Sequence, residues 1–264
     1  MRIRPPSYTL LALEQLAALE YATFLTWRSL LWLVPDGDGH PVLVLPGFTA
    51  SDRSTGPLRT TLRGKGYWVH GWRLGTNVGP QPRIVEGIER RLVHLHRRHG
   101  RRVSLVGWSL GGVYARELAR RHPESVRQVI TLGSPFRLRL GDRGRGSALY
   151  DAVAPRDDPF LSARAPEYER PTLTVPSTSI YTRTDGVVRW HTCLEEVGSE
   201  RENIEVFGTH TGLGSNIAAV LAVADRLAQP EGEWAPFRPP GVLRMLYPRP
   251  VAWDYARKAP VSGR

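Results

Sequence analysis

Residues 103–118 read Val-Ser-Leu-Val-Gly-Trp-Ser-Leu-Gly-Gly-Val-Tyr-Ala-Arg-Glu-Leu, and they decide the fold. Val103 to Val106 is a short apolar run of the kind that fills a buried strand. Gly111 to Arg121 has helical periodicity and stops before Pro123. Between them lies Gly107-Trp108-Ser109-Leu110-Gly111, the Gly-x-Ser-x-Gly spacing of a sharp strand-to-helix turn. A serine at the apex of such a turn takes strained backbone angles, so its neighbours must be small. Its hydroxyl is lifted clear of the sheet and sits near the positive end of the following helix. The pentapeptide alone is a weak signal; the strand before it and the helix after it give it meaning.

Working outward, short apolar runs alternate with amphipathic helices from Pro41 onward. Strands are predicted at Val42–Leu45, Tyr67–Trp72, Val126–Leu132, Thr178–Tyr181 and Ile204–Phe207. Helices are predicted at Leu58–Arg63, at Ile84–Leu95 with a stop at Gly100, and at Ile217–Leu227. This alternation predicts an α/β fold, a mostly parallel sheet with helices on both faces. The expected organisation is an N-terminal apolar helix in residues 1–40, a core in residues 41–230 and a proline-rich tail in residues 231–264. Within the core, residues 136–176 are rich in Gly, Pro and charge and form an insertion after the strand ending near Leu132.

The N-terminal stretch is predicted as one helix, capped by Ser7 and running to about Leu33. Glu14, Glu20 and Arg28 interrupt it, so there is no uncharged apolar run of about 18 residues to span a membrane. Its apolar girth suits either packing on the domain or peripheral contact of residues 8–34 with a membrane surface.

The formal charge is +11, from 36 basic and 25 acidic residues. Arginines are scattered along the whole chain and Lys65 and Lys258 are the only lysines, which describes a solvated basic surface. Nucleic acid is therefore not an expected partner. Cys193 is the only cysteine, which precludes an intrachain disulfide and a thiolate metal cluster and fits a reducing, cytoplasmic setting. No metal or organic cofactor is expected.

A serine becomes a nucleophile through a base, and the base needs an acid to fix its tautomer and stabilise its charge. Asp185 follows the strand Ser179-Ile180-Tyr181, and His210 follows the strand ending at Phe207. Both emerge at the carboxyl ends of parallel strands, on the edge that carries Ser109, where open α/β sheets place their sites. His94, His96 and His99 fall on a surface helix, and His191 lies in the segment after Asp185. Asp142 is the best substitute acid; Asp157 and Asp158 share its irregular insertion. An oxyanion at Ser109 needs two N–H donors. The main chain of Leu110 supplies one, and Phe48, in the turn Pro46-Gly47-Phe48, the other.

Val42 to Phe48, Gly107 to Gly112 and Ile130 to Pro135 resemble serial landmarks of the α/β-hydrolase lipases and esterases, as do Tyr181 to Val188 and Gly208-Thr209-His210. They run in that family's order, Ser, then Asp, then His, across about residues 41 to 228. Pro46 and Phe136 stand where such lipases commonly have His. The oxyanion donor is main-chain, so the first departure leaves it intact. The resemblance implies an α/β-hydrolase fold with a lid at about residues 136–176. It also implies hydrolysis of a small-molecule carboxylic ester, lipid-like or of medium acyl length, through an acyl-enzyme on Ser109 without metal or organic cofactor. Acyl transfer on the same residues and a non-catalytic scaffold on the same fold are the alternatives.

Overall fold

The computed structural model describes residues 4–138, 144, 167, 170–196, 198–251, 253–254 and 259–260. Most of the expected lid, with Asp142, Asp157 and Asp158, lies outside the described residues.

The chain builds six parallel strands: β1 (Pro41–Leu45), β2 (Trp68–Gly71), β3 (Val103–Trp108), β4 (Val126–Leu132), β5 (Ser177–Tyr181) and β6 (Arg201–Glu205), in the spatial order β2-β1-β3-β4-β5-β6. Successive side chains point to opposite faces of a strand. Val42 and Val44 of β1 thus enter one core with Val106, Ile130, Ile180 and Ile204, and Leu43 and Leu45 enter the other with Val103, Leu105 and Val129. Both faces are apolar because helices cover both. The helices Gly56–Gly64 and Ile217–Ala228 lie on the first; Pro82–His99 and Leu110–Arg121 lie on the second.

Strand β4 occupies the predicted residues, and Gly100 ends its helix with φ +60, a left-handed conformation that glycine adopts freely. Strand β6 begins three residues earlier than its apolar run suggests. It is an edge strand, where Arg201, Glu202 and Asn203 pair with Ser177, Thr178 and Ser179 and tolerate solvent. The N-terminal segment departs most from expectation. Ser7 does cap it, accepting from the Leu10 N–H at 3.2 Å. The single predicted helix is instead two α-helical pieces, α1 (Tyr8–Leu13) and α2 (Ala17–Trp27), each followed by a 3₁₀ turn, Glu14–Leu16 and Arg28–Leu33. Phe24 and Val34 are buried in the core, and Leu30 and Leu31 pack against it.

The carboxyl ends of the strands share one edge. The chain passes from β1 outward to β2, then back across β1 to β3, so the sheet's direction of growth reverses between β1 and β3. A crevice opens at such a reversal. Pro46-Gly47-Phe48 leaves β1 and Ser109 leaves β3 at that point.

Candidate active site

Ser109 is the residue between β3 and the helix Leu110–Arg121, with φ 52 and ψ −121. A non-glycine residue at positive φ costs about 1–3 kcal/mol and persists only where its surroundings impose it. Here its N–H donates to the Leu132 carbonyl of the neighbouring strand at 2.8 Å. The flanking glycines are required by close approach: a Cβ on Gly107 would run into Gly112 Cα, and one on Gly111 into the Leu45 carbonyl. The side chain of Ser109 is half-buried, open enough to meet a ligand.

The structure brings together Ser109, Asp185 and His210, which lie on three separate strand ends. His210 Nε2 is 3.0 Å from Ser109 Oγ, and His210 Nδ1 is 2.6 Å from Asp185 Oδ2. The other carboxylate oxygen of Asp185 accepts from the N–H groups of Val187 and Val188 at 2.8 and 2.7 Å, which fixes its orientation. Asp185 and His210 are both buried. Burial by itself would push the His210 pKa down; Asp185, with a contribution from Glu14, outweighs it and holds the imidazole above the ordinary histidine value.

The Pro46–Ala50 turn lies directly against the serine, since a Cβ on Gly47 would sit 3.1 Å from Ser109 Cβ. Leu110 begins the helix on the other side. Asn77 holds this turn in place and is fully buried. Its side-chain amide donates to the Pro46 carbonyl at 2.9 Å, and its main chain exchanges bonds with Thr49 and Ala50, each at 2.8 Å. Its Oδ1 accepts from the Tyr114 hydroxyl at 3.3 Å, tying the turn to the helix behind Ser109.

Sequence reading missed Asn77, and it missed Glu14 and Glu20. Glu14 accepts from the N–H groups of Gly186, His210 and Thr211; Glu20 accepts from Thr209 and Asn216. The signal available was charge in an otherwise apolar segment. Trp108, inside the Gly-x-Ser-x-Gly turn, donates its indole N–H to the His210 carbonyl at 3.1 Å. The competing histidines lie elsewhere. His99 contacts His70, and His191 sits in a 3₁₀ turn beside Trp190.

No family model and no curated protein sequence matches this chain. Its structure is similar to that of Aspergillus fumigatus lipase B, with a TM-score of 0.56 and 16% identity over 73% of this chain; the match spans about half, 53%, of that lipase. It is also similar to a metagenome-derived lipolytic enzyme (TM-score 0.51, 20% identity, 67% of this chain and 87% of the other). A third likeness is to a monoacylglycerol lipase of Paleococcus ferrophilus (TM-score 0.50, 15% identity, 72% and 96%). The chain has the α/β-hydrolase fold.

Proposed function

We propose that this protein is a carboxylic-ester hydrolase using Ser109 as nucleophile, His210 as general base and Asp185 as the acid that orients it. The observation that carries the reading is the hydrogen-bonded chain from Asp185 through His210 to a half-exposed Ser109 of strained backbone. Ser109 Oγ attacks the ester carbonyl as its proton passes to His210 Nε2, and Asp185 stabilises the resulting imidazolium. The N–H groups of Phe48 and Leu110, on either side of Ser109, receive the developing oxyanion. His210 then returns the proton to the leaving alcohol, leaving an acyl-enzyme on Ser109. Water, deprotonated by the same imidazole, releases the acid and restores the serine.

The substrate class in this reading is a lipid-like or medium-chain acyl ester, met at a membrane surface through residues 8–34. It is supported by the outward apolar side chains of that segment: Tyr8 and Trp32 are 77% and 76% exposed, and Leu19 and Trp27 more than half. No helix among the described residues is long and apolar enough to cross a membrane, so the contact would be peripheral.

Labelling with a fluorophosphonate ester followed by peptide mass mapping tests the nucleophile. Modification of Ser109 in the wild type and its loss in Ser109→Ala is the expected result. A folded wild type that stays unlabelled, with and without detergent, would overturn the reading in favour of a non-catalytic scaffold. For the membrane contact, co-sedimentation with phosphatidylcholine–phosphatidylglycerol vesicles should fall in Trp27→Ser/Trp32→Ser. Equal partitioning of that variant and the wild type would rule the contact out.

A further inference from the structure

The N-terminal segment is inverted relative to an ordinary surface helix. Leu13, Leu16 and Leu19 face outward, while Glu14 is only 8% exposed. Burying a carboxylate is unfavourable unless charge-assisted hydrogen bonds compensate. Glu14 has three: its Oε1 accepts from the N–H groups of Gly186 at 2.8 Å and His210 at 3.0 Å, and its Oε2 from Thr211 N–H at 2.8 Å. Gly186 directly follows Asp185, so one side chain joins the loop after β5 to the loop after β6. Glu20 extends the clamp one residue further, accepting from the Thr209 N–H and hydroxyl, both at 2.7 Å. Glycine is required where the segment crosses the first loop, because a Cβ on Gly186 would strike the Leu10 carbonyl.

We propose that Glu14 is a positioning residue for the Ser109–His210–Asp185 array, fixing through their main chains the separation of the loops that carry Asp185 and His210. The proposal rests on the reading of that array as the reacting centre. Two consequences follow from the geometry. The 2.6 Å contact between Asp185 and His210 depends on the spacing of loops that Glu14 bridges. The charge of the carboxylate also favours the charged form of the imidazole, adding to the larger effect of Asp185. The charged groups acting on His210 are Asp185 from the loop after β5 and Glu14 from the N-terminal segment. Glu20 lies on the neighbouring Thr209, and Ser109 faces Nε2; the buried Cys193 feels the charge of Asp185. Glu14 is itself charged in the fold: burial pushes its pKa up, but the bonds from Thr211, Gly186 and His210 outweigh this and hold it below the usual carboxylate value.

The test is the rate of Ser109 labelling by a fluorophosphonate as a function of pH, with kcat and KM on a p-nitrophenyl acyl ester, for full-length wild type, Glu14→Gln and Glu14→Asp. Glutamine presents an NH2 to one of the N–H donors and removes the charge. Labelling and kcat should fall about ten- to a hundredfold, as small misplacements of reacting groups do, with KM unchanged. The acidic limb of the pH profile should also move to lower pH, because neutral His210 is the active form and its pKa drops when a neighbouring negative charge is removed. Aspartate keeps the charge and withdraws it by one methylene, so labelling slows while the limb stays in place. A folded Glu14→Gln protein with the wild-type rate, or with a lower rate and an unmoved limb, overturns the proposal. Should Glu14→Gln not fold, wild-type labelling by Glu14→Asp overturns it. If the wild type is not labelled at Ser109, the underlying reading fails first and this one with it.

Discussion

Among the described residues, two Asp–His–Ser hydrogen-bond chains stand at the two ends of β3. At the carboxyl end Asp185, His210 and Ser109 are linked at 2.6 and 3.0 Å. At the amino end Asp38 Oδ1 is 2.5 Å from His40 Nδ1, and His40 Nε2 is 2.8 Å from Ser104 Oγ. The serines are five residues apart in the chain, about 16 Å at the usual rise of a strand. The connectivity is the same and the surroundings differ in every chemically relevant respect. Ser104 is fully buried within the ladder of β3, just past a register shift between Val103 and Ser104, and pairs with Val42 and Gln128. Ser109 sits past the end of the ladder with left-handed φ, at the head of a helix. Asp38 also binds Arg101 at 2.6 Å and Arg127 at 2.8 Å, so its charge is shared with two guanidinium groups. Asp185 is bonded instead to two neutral N–H groups. The histidines are accordingly pulled apart: His210 is held above the ordinary value, while burial and Arg127 bring His40 down to about 4 against the pull of Asp38. A relay of three side chains is thus a hydrogen-bond pattern, and exposure, backbone geometry and the electrostatics of the acid decide whether it can react.

The comparison breaks most readily at the two acids. Asp185→Asn should lower kcat on a p-nitrophenyl ester by about 10⁴, because the amide no longer fixes the reactive tautomer of its histidine. Asp38→Asn, far from the site, should leave kcat within about twofold. A large loss of kcat in the second variant would mean that the two relays are coupled. Next comes the pH dependence of folding. The unfolded chain protonates His40 near 6.5 and the folded chain only near 4. The stability contributed by keeping His40 neutral is therefore complete above 6.5 and is lost as pH falls toward 4, at no more than about 1.4 kcal/mol per pH unit. His210, with a raised pKa, works in the opposite sense: its contribution is present at low pH and disappears as pH rises through its folded value. The slope of urea stability between pH 6.5 and 4 should flatten in His40→Gln. An unchanged slope would show that other groups carry the acid sensitivity. The smallest effect is expected from Ser104→Ala, a loss of roughly 1–2 kcal/mol for an unpaired buried imidazole nitrogen, with kcat preserved.

The fold was legible because its signals are local. Val103 to Leu118 contains a strand, a turn and a helix in one reading frame, and Val126–Leu132 is apolar enough to place β4 to the residue. Ser109, Asp185 and His210 could be chosen because each follows a strand run, so topology alone brings them to one edge. What could not be read depends on partners far away in sequence. Glu14 and Glu20 read only as charges that spoil a membrane span: the partners of Glu14 are backbone N–H groups, which carry no residue signature, and those of Glu20, Thr209 and Asn216, lie 189 and 196 residues away. Asn77 is one polar residue in the loop Gly75-Thr76-Asn77-Val78-Gly79, and its role emerges only when Pro46 and Tyr114 are seen beside it. The Asp38–His40–Ser104 relay was invisible for the same reason: Ser104 alternates within an apolar strand run and Asp38 lies in a glycine turn.

The bond between Glu14 and His210 spans 196 residues, and that between Glu14 and Gly186 spans 172. At translation rates of about 5–20 residues per second, Glu14 is made roughly 10–40 s before His210. The six strands and the helices between them precede His210 in the chain, whereas the helix Ile217–Ala228 follows it, and a contact this distant in sequence carries a loop-closure cost. The bonds between the N-terminal segment and the loop of His210 therefore wait for the later part of the chain. On the proposed reading, a nascent chain that ends short of His210 carries Ser109 without its base and stays chemically silent until that loop is made and the N-terminal segment docks on it.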